Sequence, residues 1–157
     1  MIIYFMQKWP DGSLKFFKEK ISNSITLMDK LAHTGNNLLL VSNTAPNHLP
    51  PKLHTMRTSF RIKKGMMLDM AYWSGKPYHS SPDRFITQVP CKATQTVKID
   101  YLLAGIPPDV YVDDRKLSLD EVQELALNDG FDGRVKFYEH FNKSETYNLI
   151  HWTDKKY

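Results

Sequence analysis

The chain of 157 residues has a single cysteine, Cys91, and no long apolar run. One cysteine excludes an internal disulfide and a metal site built on several thiolates, and it fits a reducing compartment. No stretch reaches the roughly 20 apolar residues that a membrane-spanning helix needs. The first ten residues, MIIYFMQKWP, lack the pattern of a signal peptide. These absences predict a cytoplasmic protein with no membrane partner.

Sequence motifs for several enzyme classes are also missing. The chain has no Gly-rich phosphate loop and no Gly-x-Ser-x-Gly elbow. The histidines lie at positions 33, 48, 54, 79, 140 and 151, which is not the spacing of metal ligands. We therefore expect neither a metal site nor a cofactor.

Positive charge is concentrated in the first part of the chain. Residues 1–64 hold ten Lys or Arg and three Asp or Glu, whereas residues 65–157 hold eleven and fourteen. The segment 52–64 has five basic residues and no acid, and it includes Arg61, Lys63 and Lys64. Such a segment is compatible with an anionic partner such as RNA, although a solvated basic face explains the charge equally well.

The length predicts one domain over residues 1–157, and the order of elements favours an α+β class. Residues 22–51 are the least regular part and are interpreted as an elaboration of that domain. The S-x-x-E capping box at Ser118 predicts the start of a helix. The remaining expectations are strands at 2–6, 57–64, 66–72, 96–101, 110–112 and 147–153, helices from Ser13 and after Asp132, and a polar loop at 74–83.

The segment KLHTMR at 52–57 places a lysine, a hydroxyl and an arginine directly after two prolines. On a strand, Thr55 and Arg57 share one face and His54 points to the other. Lys52 joins the Thr55 face only where the chain bends, which the prolines allow. A threonine becomes a nucleophile only with a base within reach, and a lysine is such a base only when burial lowers its pKa. The alternative is a solvent-facing strand.

Other candidate residues lie further along the chain. Asp129 sits between two helical segments, where it is either a pocket acid or a simple turn residue before Gly130. Trp73 and Tyr78 flank a polar loop that contains a lysine, which is an arrangement able to stack exposed bases.

Three segments together resemble the ASCH family, a branch of the PUA-like folds. KLHTMR is similar to the family signature Lys-x-x-Thr-x-Arg, and LSLDEVQELALNDGFDGRVKFYEHF resembles the acidic helical insert. The last segment, YNLIHWTDKKY, resembles the final strand. The resemblance implies a small PUA-like mixed β-barrel with flanking helices, and it covers roughly residues 52–157.

The resemblance also implies a pocket for RNA or a modified nucleoside. Some members are amidohydrolases that remove an acyl group from the exocyclic nitrogen of N4-acetylcytidine. Carried over, Thr55 is the nucleophile, Lys52 the base and Asp129 the orienting acid. The ligand-binding expectation adds Arg57, His54, Trp73 and Tyr78, and the nucleic-acid-binding expectation adds Arg61, Lys63 and Lys64. A regulatory or host-interaction protein without catalysis is the remaining alternative.

Overall fold

The computed structural model describes residues 1–8, 12–34, 49–73, 79–103 and 105–157. Within these ranges the chain forms eight strands and three helices. The strands are β1 (Ile2–Phe5), β2 (His54–Arg57), β3 (Met67–Trp73), β4 (Pro82–Pro90), β5 (Ala93–Asp100), β6 (Asp109–Val112), β7 (Arg115–Lys116) and β8 (Glu145–His151). The helices are α1 (Phe17–Thr34), α2 (Leu119–Asn128) and α3 (Arg134–His140).

The strands form two sheets. The first has the order β1-β3-β4, with β1 parallel to β3 and β4 antiparallel to it. The second has the order β2-β8-β5-β6-β7 and is antiparallel at each pairing. In the second sheet Thr55 of β2 stands opposite Ile150 of β8. The α+β class is confirmed, and the described strands make two separate sheets where the sequence predicted one barrel.

Alternating apolar residues explain several strands. Leu68 and Met70 of β3 are buried, as are Val97 and Ile99 of β5, because residues two apart on a strand share a face. The strands predicted at 66–72 and 96–101 are therefore confirmed, with shifted ends.

The capping box that opens α2 is confirmed. The Ser118 hydroxyl accepts a hydrogen bond from the Glu121 backbone N at 3.3 Å, and the Glu121 carboxylate accepts one from the Ser118 N at 2.8 Å. Reciprocal bonds of this kind satisfy amide groups that the first helical turn leaves without partners. The helix start is fixed by local sequence alone.

Two cores meet along β8. Leu149 belongs to a cluster that packs against α2 and α3, whereas its neighbour Ile150 belongs to a cluster with Ile3, Phe5 and Leu68. Successive side chains of a strand point to opposite faces. One face of β8 therefore contributes side chains to the first core, and the other face contributes to the second.

Three local predictions are wrong. The first helix begins at Phe17 and not near Ser13, because Leu14 forms a bridge with Lys8 and Phe16 has a left-handed φ of 52°. The strand predicted over 57–64 ends at Arg57. Asp132 does not cap α3, whose N-cap is Gly133 without a side-chain bond.

Two further expectations change. The stretch 22–51 was expected to be irregular, but α1 continues to Thr34, while residues 35–48 lie outside the described residues. Of the polar loop predicted at 74–83, residues 74–78 lie outside the described residues, and β4 already begins at Pro82. β4 is a largely exposed edge strand, so it lacks the apolar alternation that reveals a half-buried strand. In the described ranges, no helix is long and apolar enough to cross a membrane.

Candidate functional site

Backbone hydrogen bonds bring two distant segments of the chain together. The Lys52 N donates to the Lys20 carbonyl at 3.0 Å, and the Leu53 N donates to the Asn128 carbonyl at 2.8 Å. Asp129 is the C-cap of α2, and its N donates to the Leu125 carbonyl. The residue before β2 and the residue after α2 therefore face each other.

Lys52 and Asp129 form a buried ion pair. The Lys52 Nζ lies 2.5 Å from Asp129 Oδ1 and also donates to the Asp129 carbonyl oxygen. Lys52 is 1% exposed and Asp129 is 3% exposed. The sequence left open whether Asp129 was a pocket acid or a turn residue, and in the structure it ends a helix and also meets the lysine.

Burial and charge shift both groups. Burial lowers the pKa of Lys52 from 10.5 to about 8, although the Asp129 carboxylate works against that change. Burial alone would raise the pKa of Asp129, but Lys52 and His54 outweigh it and hold the pKa below its ordinary value. At neutral pH Asp129 is ionised, and Lys52 loses its proton at a pH much closer to neutral than a solvated lysine does. Such a perturbed pair in the interior marks a candidate functional site.

Gly130 allows the close approach around this pair. Its φ is +89°, a left-handed value that strains other residues, and an added Cβ would lie 2.9 Å from the Phe17 ring and 3.2 Å from the Lys52 Cδ. Its carbonyl accepts a hydrogen bond from the Lys20 Nζ at 2.9 Å. A side chain at this position would push Lys52 out of place.

Arg57 lies beside the pair on the other end of β2. Its Nη2 donates to the Tyr4 carbonyl at 2.6 Å, while its Nε is buried and has no acceptor among the described residues. The Arg57 Cζ is 5.0 Å from the centre of the Phe5 ring, and the Lys52 Nζ is 5.9 Å from the same centre. Phe5 of β1 thus lies close to both basic groups.

Thr55 is buried on β2, on the strand face that also carries Arg57. All three residues are described, and no hydrogen bond joins Thr55 to Lys52 or to Asp129. The lysine is engaged by the acid, so the structure brings the base and the orienting acid together without joining the proposed nucleophile to them.

His54 lies between Asp129 and a tyrosine. Its Nε2 is 2.9 Å from the Tyr157 hydroxyl, whereas its Nδ1 is 3.7 Å from Asp129 Oδ1, which is too far for a hydrogen bond, and has no partner among the described residues. The Asn128 Nδ2 donates to that hydroxyl at 2.7 Å, so the tyrosine O–H is free to donate to the Nε2. Burial lowers the pKa of His54 and keeps the ring neutral. The single ring proton then sits on Nδ1 and faces the carboxylate.

Several residues of this site escaped the sequence analysis. Tyr157, Asn128, Lys20, Phe5 and Phe17 carry no local motif that indicates a role. Asn128 alone had a signal, since it directly precedes Asp129 at the helix end. The others reach the site only through tertiary contacts.

The remaining predicted residues lie elsewhere. Trp73 stacks on Tyr4 with ring centres 4.6 Å apart and is half-buried, so one of its faces is already used. Tyr78 lies outside the described residues. Arg61, Lys63 and Lys64 are exposed, whereas the other two basic residues of 52–64 belong to the site. The segment therefore exposes three basic residues and not five.

A cavity of about 230 Å³ borders the site. Phe5 and Phe17, whose ring centres are 6.0 Å apart, line it together with Tyr72 and Phe85. The Lys52 Nζ also lies 4.8 Å from the centre of the Phe17 ring. The aromatic wall beside the ion pair is therefore also the wall of a cavity large enough for a small planar group.

Comparisons with protein-family models, with curated proteins and with solved structures give no match. No cluster of three or more His, Cys, Asp or Glu side chains able to hold a metal ion occurs among the described residues. The chemistry of the site must therefore be argued from its own side chains.

Proposed function

We propose that this chain is a cytoplasmic ASCH-type protein of the PUA-like class, with a pocket that binds RNA or a modified nucleoside. The observation that carries the proposal is the buried ion pair of Lys52 and Asp129, beside an aromatic cavity. Buried charges cost stability unless they are paired, and even paired they are often replaceable by apolar residues. A lysine and an acid kept in the interior are therefore better explained by ligand recognition than by folding.

The pair suits the edge of a nucleobase. Lys52 offers donors and Asp129 offers acceptors within one small space, and a base presents both kinds of group along its edge. The aromatic rings of Phe5 and Phe17 supply an apolar surface on which a base stacks. Recognition by stacking and edge hydrogen bonds is the usual mode for single-stranded RNA and nucleosides.

The test is calorimetric titration of the protein with cytidine and with N4-acetylcytidine. We expect binding by the parent chain and a loss of at least about tenfold in Asp129→Asn, since a hydrogen bond to a charged group contributes about 1.5–3 kcal/mol. Asp109→Asn is the matched control, because Asp109 also contacts a lysine, Lys116, at 2.7 Å but on the surface. Equal losses in the two variants would show that the buried pair has no special role in binding.

A separate experiment addresses RNA. If Arg61, Lys63 and Lys64 contact phosphates, the affinity for single-stranded RNA falls steeply as salt rises. Replacing all three by alanine should weaken binding and reduce the salt slope by about one per residue removed. Replacing Lys98, Lys136 and Lys143, which are partners in other surface ion pairs, should leave the slope unchanged. A slope unaffected by the first triple variant would exclude this segment from RNA binding.

Amide hydrolysis is the second candidate, and the lowered pKa of Lys52 favours it. A neutral Lys52 would take the proton of Thr55 as its Oγ1 bonds to the acyl carbon of N4-acetylcytidine. The C–N bond then breaks, the released amine of cytidine takes the proton from Lys52, and water hydrolyses the acetyl-Thr55 ester to acetate. This route requires Lys52 to turn from Asp129 towards Thr55. The rate should therefore rise with pH up to and just beyond about 8.

The hydrolysis test follows cytidine released from N4-acetylcytidine. Thr55→Ala and Lys52→Ala should each abolish turnover, whereas Thr55→Ser retains a hydroxyl and should retain part of the rate. Asp129→Asn should lower the rate, while Asp129→Glu shows whether a longer acid is accepted. Unchanged turnover in Thr55→Ala would remove this residue as nucleophile. Absence of turnover in the parent chain would leave binding alone.

A further inference from the structure

Buried basic groups outnumber buried acids around Asp129. Lys15, Lys20 and Lys52 are buried, and Asp129 is the one buried acid among the described residues. The pKa of Lys15 is lowered by burial and then by the charge of Arg57, which shows that the basic groups lie close enough to repel one another. The region therefore carries more buried positive than negative charge.

Arg57, which is half-buried, lies near these groups and has few partners among the described residues. A guanidinium has five N–H donors, and among the described residues the one acceptor bonded to Arg57 is the Tyr4 carbonyl, which receives a bond from Nη2. The Nε is buried without any acceptor in the part of the chain that the structure describes. Asp129 is already held by the Lys52 Nζ at 2.5 Å, so its charge is not available to Arg57 as a direct partner.

We propose that Arg57 binds a phosphate group of the ligand through its Nε and Nη donors. The proposal rests on the function proposed above, and it makes the preferred ligand a nucleotide or RNA phosphate and not a free nucleoside. The planar fork of an arginine matches two phosphate oxygens at once. A phosphate also carries enough negative charge to offset the surplus of buried cations.

The neighbours of Arg57 fit this role. Phe5 lies 5.0 Å from the Arg57 Cζ and covers one side of the guanidinium, which leaves its edge as the direction for a ligand. Thr55 is on the same face of β2, two residues away, and its hydroxyl can donate to a further phosphate oxygen. The Lys52 Nζ lies 5.9 Å from the centre of the Phe5 ring, so a base held by Lys52 would lie near a phosphate held by Arg57.

The experiment compares cytidine, cytidine 5′-monophosphate and inorganic phosphate by calorimetric titration of the full chain at fixed salt. We expect the monophosphate to bind at least about tenfold more tightly than cytidine. In Arg57→Lys, which keeps the charge but loses the fork, this advantage should fall to about threefold or less. Arg115→Gln, on the exposed β7 hairpin, should keep the full advantage.

The outcomes separate this inference from the proposed function. Equal affinity for cytidine and its monophosphate would overturn the phosphate role of Arg57 and leave the nucleoside pocket intact. Phosphate that binds the parent chain but not Arg57→Lys, with no binding of cytidine, would support the anion site and refute the nucleoside pocket. No binding of any of the three probes would refute both.

A final arm identifies the source of the phosphate. The dinucleotide CpC carries an internal phosphate and no terminal one, whereas the monophosphate carries a terminal group with a second negative charge. Tighter binding of CpC points to an RNA backbone, and tighter binding of the monophosphate points to a free nucleotide. Either result supports the phosphate role if the affinity gained from the phosphate is lost in Arg57→Lys. If that gain persists in Arg57→Lys, the phosphate role is overturned.

Discussion

The Lys52 Nζ lies 2.5 Å from Asp129 Oδ1, although 77 positions separate the two residues in the chain. The contact joins the start of β2 to the end of α2 and is enclosed by Phe17 and Gly130. Because both groups are buried, removing one leaves the other as an uncompensated charge.

The first prediction concerns the stability of this pair. Lys52→Met and Asp129→Asn should each destabilise the fold, Lys52→Met by about 3–5 kcal/mol, since it leaves a carboxylate buried without its cation. The double variant should cost clearly less than the sum of the single ones. Urea unfolding of the four proteins measures this coupling. The exposed pair Lys116 and Asp109, with a coupling of about 1 kcal/mol or less, is the control, and additive effects at the buried pair would contradict the prediction.

The second prediction concerns the hydroxyl of Tyr157. Tyr157→Phe removes the donor to His54 Nε2 and the acceptor of Asn128, and should destabilise the fold by about 1–2 kcal/mol. It should also free the His54 ring proton to move from Nδ1 to Nε2. The ¹⁵N shifts of the ring report that movement, which a simple loss of packing would not produce. Tyr111→Phe removes a surface hydroxyl bonded to Asp109 and serves as control. Unchanged shifts in Tyr157→Phe would show that the tyrosine does not set the His54 tautomer.

The third prediction separates steric contact from backbone strain at Gly130. Gly130→Ala places a Cβ 2.9 Å from the Phe17 ring, whereas Gly65→Ala has a similar φ of +86° and no atom within 4 Å. Both variants carry the strain of a left-handed alanine, about 1–2 kcal/mol, and only the first must move Lys52 and Phe17. Gly130→Ala should therefore be more destabilising by at least about 1 kcal/mol. Equal unfolding free energies would mean that the site accommodates a methyl group there.

The fourth prediction concerns acid sensitivity. Burial lowers the pKa of His151 to about 3, and both of its ring nitrogens are buried without partners among the described residues. Between pH 6.5 and 3, His151 binds a proton in the unfolded chain but stays neutral in the folded chain. The stability present above pH 6.5 is then lost as the pH falls towards 3, by roughly 5 kcal/mol in total.

His151→Leu tests this loss, because leucine cannot take up a proton. Urea unfolding at pH 7 and at pH 4.5 should show a smaller decrease in the variant than in the parent chain. His54 is also buried with a lowered pKa, so part of the decrease remains. His79→Ala is the control, since that residue is exposed. A parent chain whose stability does not change between these pH values would refute the role of buried neutral histidines.

Local sequence predicted those parts of the fold that local forces determine. The capping box at Ser118 and the alternating residues of β3 are such cases, since each depends on neighbours within a few positions. The start of α1 was mispredicted because Leu14 bridges to Lys8, a contact that competes with helix formation. β4 was missed because pairing with β3, and not its own pattern, makes it a strand.

The site was predictable only in part. The resemblance to a known signature drew attention to Lys52 and Asp129, and the structure places them in contact. Sequence spacing could not show that Arg57 is buried beside Phe5, nor that Tyr157 reaches His54, because both contacts join segments about fifty or more positions apart. Such contacts depend on how the two sheets pack.

The edge strand β1 has a consequence for the kinetics of the site. In the described structure β1 pairs with β3 alone, through four residue pairs. It supplies both the Tyr4 carbonyl that accepts the Arg57 hydrogen bond and the Phe5 ring beside the guanidinium. Ile3 and Phe5 of this strand are buried in the core cluster that also holds Leu68 and Ile150, so β1 detaches only when that core opens. Each such opening would release the arginine and remove the ring at the same moment. The release of a ligand held by both groups would then be coupled to the opening of that core.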